Sequence, residues 1–230
     1  MINTLKIKVC GTRDPENIRA IQALGVEMIG MIFYEKSARY VSSNLELRVA
    51  TTLSPSFGGG RGEAWSGDTI GIFVNAPIET IASKVIDYQL NGVQLHGQED
   101  VAYIIALKEK IAPSIKIFKA VGIDENFDFE LLRAFECFFK DKTLVDLFVF
   151  DTKTPQHGGS GVKFDWTVLE RYQGNIPFLL SGGIGAEDAD AIQQLKLRQL
   201  YGVDLNSKFE IEPALKDIEK LKLFILALRL

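Results

Sequence analysis

The chain has 230 residues, of which 47% are apolar and 24% charged, and its net charge is −4. That length suits a single α/β barrel, and the composition belongs to a folded globular chain and excludes disorder. No basic block offers itself to nucleic acid, no apolar run reaches the ~18 residues of a membrane span, and the start has no signal-peptide core; a cytoplasmic protein is expected.

The first strand is expected at 5–9 and runs into Lys8-Val-Cys-Gly11. Side chains alternate along a strand, so Lys6, Lys8 and Cys10 share one face and Ile7 and Val9 the other. Branched Ile and Val suit the helix-facing side, which turns Lys8 and Cys10 inward. A free cysteine usually packs as a small hydrophobe, but a lysine two residues away favours thiolate, the form that takes a proton. The first helix has Asp14 as N-cap, Pro15 at its first position and Gly25 as its stop.

The second strand is expected at 28–33, followed by a loop carrying Arg39, a residue able to grip a carboxylate through two donors or simply to lie solvated. The stretch 54–68 is glycine-rich and aperiodic; it reads as a mobile surface insertion on the N-terminal face, away from any site. Strands are then expected at 70–74 and 93–95, with helices starting near Pro77 and Gln98. His96 ends the second of these strands and shares its inward face with Gln94, where it contacts substrate or hydrogen-bonds within the protein.

A strand at 115–120 precedes a helix starting near Asn126, and a strand at 147–150 ends in Asp151. A carboxyl after the apolar run Leu-Phe-Val-Phe suits a general acid, and the next helix starts too late for it to be a simple cap. The loop beyond holds Gly158-Gly159-Ser160-Gly161, whose backbone N–H groups can approach an anion. The last strands are expected at 178–180, leading into Ser181-Gly182-Gly183, and at 200–205, leading into Asn206-Ser207, which opens a short extra helix. A final apolar helix is expected from about Pro213, packed internally or in a homodimer; monomer and homodimer both stay open.

Eight strand–helix units in this length are the count of a (β/α)8 TIM barrel of the phosphate-binding type, here one domain over 1–230. The structural rival is an open doubly wound sheet; its best support, Gly183-Ile-Gly185-Ala-Glu-Asp188, lacks the third glycine and comes in the seventh unit. In the barrel, active sites sit at the C-terminal ends of the strands, and phosphate sits at the loops after the last two strands. Cys10 and Asp151 then face each other across the mouth as a proton-transfer pair. Closure sets the eighth strand beside the first, so buried Lys8 is expected to pair with Asp204. The two cysteines, Cys10 and Cys137, form no disulfide framework, and His96 and His157 have no metal-ligand spacing, so no metal is expected.

These motifs, in this order, resemble phosphoribosylanthranilate isomerase of tryptophan biosynthesis. They are Lys8-Val-Cys-Gly11, Phe33-Tyr-Glu-Lys-Ser-Ala-Arg-Tyr40, Gly71-Ile-Phe-Val-Asn75, Val93-Gln-Leu-His-Gly97, Asp151-Thr with Gly158 to Gly161, Phe164-Asp-Trp166 and Leu180-Ser-Gly-Gly-Ile184. The resemblance implies a cofactor-free isomerase acting on a small phosphorylated molecule by an Amadori rearrangement. It implies Cys10 as base, Asp151 as acid, Arg39 on the anthranilate carboxylate, and Gly182, Gly183, Asn206 and Ser207 on the phosphate. Many members carry Ser-Ser-Gly-Val-Glu after the eighth strand; here it is Asn206-Ser-Lys-Phe-Glu210, with Lys208 in place of the glycine. The rivals are a lyase or synthase on the same barrel, such as indole-glycerol-phosphate synthase, a histidine-pathway sugar isomerase, and a barrel kept as a binding module.

Overall fold

The computed structural model describes residues 5–42, 67–136, 138–139, 142–153 and 163–230. Eight parallel strands close on themselves: β1 (Lys6–Cys10), β2 (Met28–Ile32), β3 (Asp68–Phe73), β4 (Gly92–Leu95), β5 (Lys116–Ile123), β6 (Leu147–Thr152), β7 (Phe178–Leu180) and β8 (Leu200–Leu205). Each pairs with the next, and β8 pairs with β1, with Lys8 opposite Asp204. Closure removes the open-sheet alternative, which would leave two edges.

The strands are apolar on both faces because each is buried on both. Outward residues such as Ile7, Val9, Phe148, Phe150, Val203 and Leu205 join the shell under the helices. Inward residues Met28, Ile70, Phe118, Leu147, Val149 and Leu179 fill the barrel's middle. Above them, toward the C-terminal rim, Ile32 and Ile72 form a small group with Cys10.

The wall is formed by α1 (Pro15–Ala23), α2 (Ile78–Asp87), α3 (Val101–Lys110), α4 (Ala189–Gln194) and α5 (Ile218–Arg229), with 3-10 turns at Phe129–Glu136 and Trp166–Arg171. Side-chain caps set their starts. Asp14 accepts from the Asn17 N–H at 2.7 Å, Asp100 from that of Tyr103 at 2.8 Å, and Asp217 from that of Lys220 at 3.0 Å. Among the described residues no helix is long and apolar enough to cross a membrane.

Two expectations change. The last helix starts at Ile218, not near Pro213. The residues before it form a hairpin, Glu210–Glu212 against Leu215–Lys216, whose turn places Ala214 at φ 72°. The left-handed residue directly after Pro213 keeps a helix from starting there. The expected helix near Asn126 is the 3-10 turn at Phe129–Glu136. The insertion at 54–68 falls outside the described residues except for its last two positions.

Candidate active site

Alternation along β1 turns Lys8 and Cys10 into the barrel, where they are buried. The Lys8 ammonium donates to Asp204 Oδ2 at 2.8 Å across the β1–β8 seam and also interacts electrostatically with the Cys10 thiol. Burial works against the Lys8 charge, but Asp204, joined by Cys10, holds its pKa above the ordinary lysine value. Burial raises the Asp204 carboxyl despite the pull of Lys8. Its second oxygen, Oδ1, is buried without a hydrogen-bond partner among the described residues.

The thiol departs from the sequence reading. Burial pushes the Cys10 pKa above its ordinary value; Lys8 offsets this only in part, and the Asp204 carboxylate adds to the rise. A cation two residues away was expected to favour thiolate, but its charge is shared with a counterion on the neighbouring strand. Cys10 should therefore react with iodoacetamide slowly near neutrality. The rate should climb with pH to a midpoint above that of a free cysteine, which the pH dependence of alkylation of the unliganded protein would read. A midpoint at or below the free-thiol value would contradict the geometry.

Asp151 ends β6 on the same rim. Its Oδ1 accepts from the Thr152 N–H at 2.9 Å, and its Oδ2 lies 3.6 Å from His96 Nε2. The Gln94 amide nitrogen faces His96 Nδ1 at 3.3 Å, so the ring proton belongs on Nε2, the nitrogen facing Asp151. His96 thus touches the carboxyl and an inward neighbour at once. Both Asp151 and His96 keep part of their side chains open to the mouth.

The loop after β7 presses against this carboxyl. Gly182 has φ +91°, and a Cβ there would stand 2.7 Å from the Thr152 nitrogen and 3.0 Å from Asp151 Oδ1. Only glycine fits both the conformation and the gap. Gly183 follows at φ 66°. After β8, Ser207 opens a 3-10 turn, Ser207–Phe209, as expected. Lys208 sits in that turn without a positive φ, so the turn does not need the family's glycine at this place. The Asn206 side chain is taken up internally: its Oδ1 accepts from Lys216 Nζ at 2.8 Å. Gly159 and Ser160, with His157, lie outside the described residues, as does Cys137.

Arg39 lies across Gly11, directly after the thiol. A Cβ at Gly11 would stand 2.6 Å from Arg39 Cδ and 2.8 Å from Asn206 Oδ1, and its φ is +73°. The guanidinium is already gripped on one edge: Nε donates to Glu210 Oε1 at 2.8 Å and Nη2 to Oε2 at 2.6 Å. Lys216, fully buried, donates to the same carboxylate at 2.7 Å. Glu210 and Lys216 are site neighbours that the sequence reading missed. Glu210 closes the run quoted for the resemblance, a usable signal; Lys216 was hidden in what read as a helix.

The family model described as N-(5'phosphoribosyl)anthranilate (PRA) isomerase matches residues 7–227. The N-(5'-phosphoribosyl)anthranilate isomerase of Parabacteroides distasonis is 44% identical over 219 residues, covering 95% of this chain and 91% of the relative. A crystal structure of the Thermotoga maritima phosphoribosylanthranilate isomerase superposes with a TM-score of 0.74 at 32% identity, covering 97% of this chain and 98% of that one. Another phosphoribosylanthranilate isomerase, solved in complex with reduced 1-(o-carboxyphenylamino)-1-deoxyribulose 5-phosphate, is 28% identical with a TM-score of 0.71 and the same coverage. With the whole barrel and nearly the whole sequence in common with these proteins, the chain belongs to the N-(5'-phosphoribosyl)anthranilate isomerase family.

Proposed function

We propose that this protein catalyses the Amadori rearrangement of N-(5-phosphoribosyl)anthranilate to 1-(2-carboxyphenylamino)-1-deoxyribulose 5-phosphate, the isomerisation of tryptophan biosynthesis, in the cytoplasm. The observation that carries the reading is the placement of Cys10 and Asp151. They end strands three places apart around one ring, on the same rim, one backed by Lys8 and the other by His96.

In this reading Asp151 donates its proton to the ribose ring oxygen. The bond from that oxygen to C1 breaks, leaving a C4 hydroxyl and an iminium between C1 and the anthranilate nitrogen. The Cys10 thiolate then removes the proton from C2, which the adjacent iminium acidifies. The electron pair moves into a C1–C2 double bond and neutralises the nitrogen. The enolamine tautomerises: C1 gains a proton, the C2 hydroxyl loses one, and the ketone remains. A thiol with a raised pKa is a stronger base once ionised, which suits abstraction from carbon; the cost is a small thiolate population at neutral pH.

Holding the two ends of the substrate places the sugar between acid and base. Arg39, beside the thiol, is the group for the anthranilate carboxylate. Backbone N–H groups of Gly182, Gly183 and Ser207, in the loops after β7 and β8, are the donors for phosphate, with Gly159 and Ser160 completing the set. Asn206 supports that loop through Lys216 rather than by presenting its side chain.

The test is the loss of anthranilate fluorescence when purified protein meets freshly generated phosphoribosylanthranilate, with the carboxyphenylamino-deoxyribulose phosphate identified as product. Rapid loss with that product is expected. No loss with folded protein would overturn the reading, and the aminoaldose phosphate of histidine biosynthesis would then be tried.

A further inference from the structure

We infer that Glu210 is a positioning residue for carboxylate recognition: held by Lys216, it fixes the guanidinium of Arg39 so that the free edge faces the substrate. The inference rests on the proposed role of Arg39 and goes beyond it, to residues on a different part of the chain that touch no reacting atom.

Arg39 comes from the loop after β2, whereas Glu210 and Lys216 come from the hairpin after β8. The Glu210 carboxylate takes the Nε–Nη2 edge in a fork of two bonds, the geometry that fixes a guanidinium's plane as well as its position. Among the described residues no hydrogen bond takes the opposite edge, at Nη1.

Charge explains why a third residue is needed. Arg39 with Glu210 alone is a neutral pair, which would draw a carboxylate only weakly. Lys216 is the second cation, 2.7 Å from Glu210 Oε1; burial lowers its pKa and Glu210 opposes the fall, and in its protonated form it brings the trio to a net +1. Its placement is built in. Its backbone exchanges two hydrogen bonds with the Asn17 side chain, both at 2.9 Å, which peg the hairpin to α1. Its ammonium also donates to Asn206 at 2.8 Å, so the carboxylate grip and the loop after β8 share one set of contacts. Arg39 and Lys216 hold the Glu210 carboxyl below its usual range despite burial, which keeps it ionised through neutral pH.

The test uses two substrates, phosphoribosylanthranilate and the uncarboxylated analogue generated from aniline and ribose 5-phosphate. The wild-type preference for the first, as a ratio of kcat/KM, measures the carboxylate grip. Arg39→Ala should abolish most of that preference. Glu210→Gln should lower it by about tenfold or more, the weight of one misaligned charge-assisted bond, chiefly through KM for the carboxylated substrate. Its kcat/KM on the aniline substrate should fall clearly less than on the carboxylated one, and circular dichroism of the variant certifies the fold. Glu210→Asp, which keeps the charge but draws the fork back by one methylene, should show a smaller loss of the same kind and serves if the glutamine variant does not fold.

If Arg39→Ala leaves the preference intact, the role of Arg39 is wrong and this inference falls with it. Should Arg39→Ala remove the preference while both Glu210 variants keep it, the inference alone is overturned. An equal loss on both substrates would make Glu210 merely structural and would overturn it as well.

Discussion

Cys10→Ala and Asp151→Asn should each lower kcat by about 10²- to 10⁴-fold, the usual weight of one general acid or base, while leaving the fold in place. The structure gives reasons to expect little damage. Asp151→Asn keeps the oxygen that accepts from the Thr152 N–H. Cys10→Ala removes one sulfur from a small apolar group with Ile32 and Ile72, next to Gly30. The two variants should fail at different steps, and a substrate deuterated at sugar C2 separates them. Without the thiolate, C–H cleavage limits turnover, and a large primary isotope effect should appear. Without the acid, ring opening limits, and the isotope effect should shrink toward unity. Because the residues serve consecutive steps of one sequence, the double variant should be little slower than the worse single one. Near-normal turnover in either single variant would remove that residue from the chemistry.

Much of this placement was legible in the sequence, and particular residues show why. The two-residue alternation in Lys6-Ile-Lys-Val-Cys10 fixes which side chains enter the barrel, whatever the rest of the chain does. Eight units in this length imply closure, and closure alone puts Lys8 beside Asp204, the pair found at 2.8 Å. The start of the first helix was readable because Asp14 caps it, and a cap is a local bond. What escaped was non-local. The sign of the Cys10 shift is set by burial, joined by a counterion far along the chain, so the nearby lysine was misleading by itself. The hairpin after β8 escaped because Ile211, Leu215 and Ile218 continue the apolar spacing of the following helix, and its left-handed residue is Ala214, which carries no turn signal. The Arg39–Glu210–Lys216 trio joins two distant loops, so only the folded chain brings it together.

Lys8→Met should cost about 3–5 kcal/mol of stability, a large share of the roughly 5–15 kcal/mol that holds a typical domain together. The loss comes from what stays behind. Asp204 would be an ionised carboxylate inside the barrel with its one hydrogen-bond donor among the described residues gone and its other oxygen already unpartnered among them. The pH dependence should carry the sign of that group. Burial already raises the Asp204 carboxyl, and losing Lys8 raises it further. A raised carboxyl contributes stability below its unfolded value and loses it as pH rises through the folded value. The defect of the variant should therefore be smallest in acid and grow toward neutrality. Wild type should show a smaller loss of the same sign, because Lys8 pulls against the rise of Asp204 and keeps its own contribution until pH climbs through the lysine range. Urea unfolding of both proteins across this range measures the difference; a small, pH-independent cost would show that the pair is not the buried charge couple described. Lys8→Met with Asp204→Leu removes both charges and should recover most of the stability, since an apolar pair of similar volume fills such a site without desolvation cost. It should not recover turnover. Cys10 would then lose the cation that lowers it most, and its alkylation midpoint should move further into alkali than in wild type. Recovered folding with lost catalysis would separate what the pair does for the barrel from what Lys8 does for the thiol.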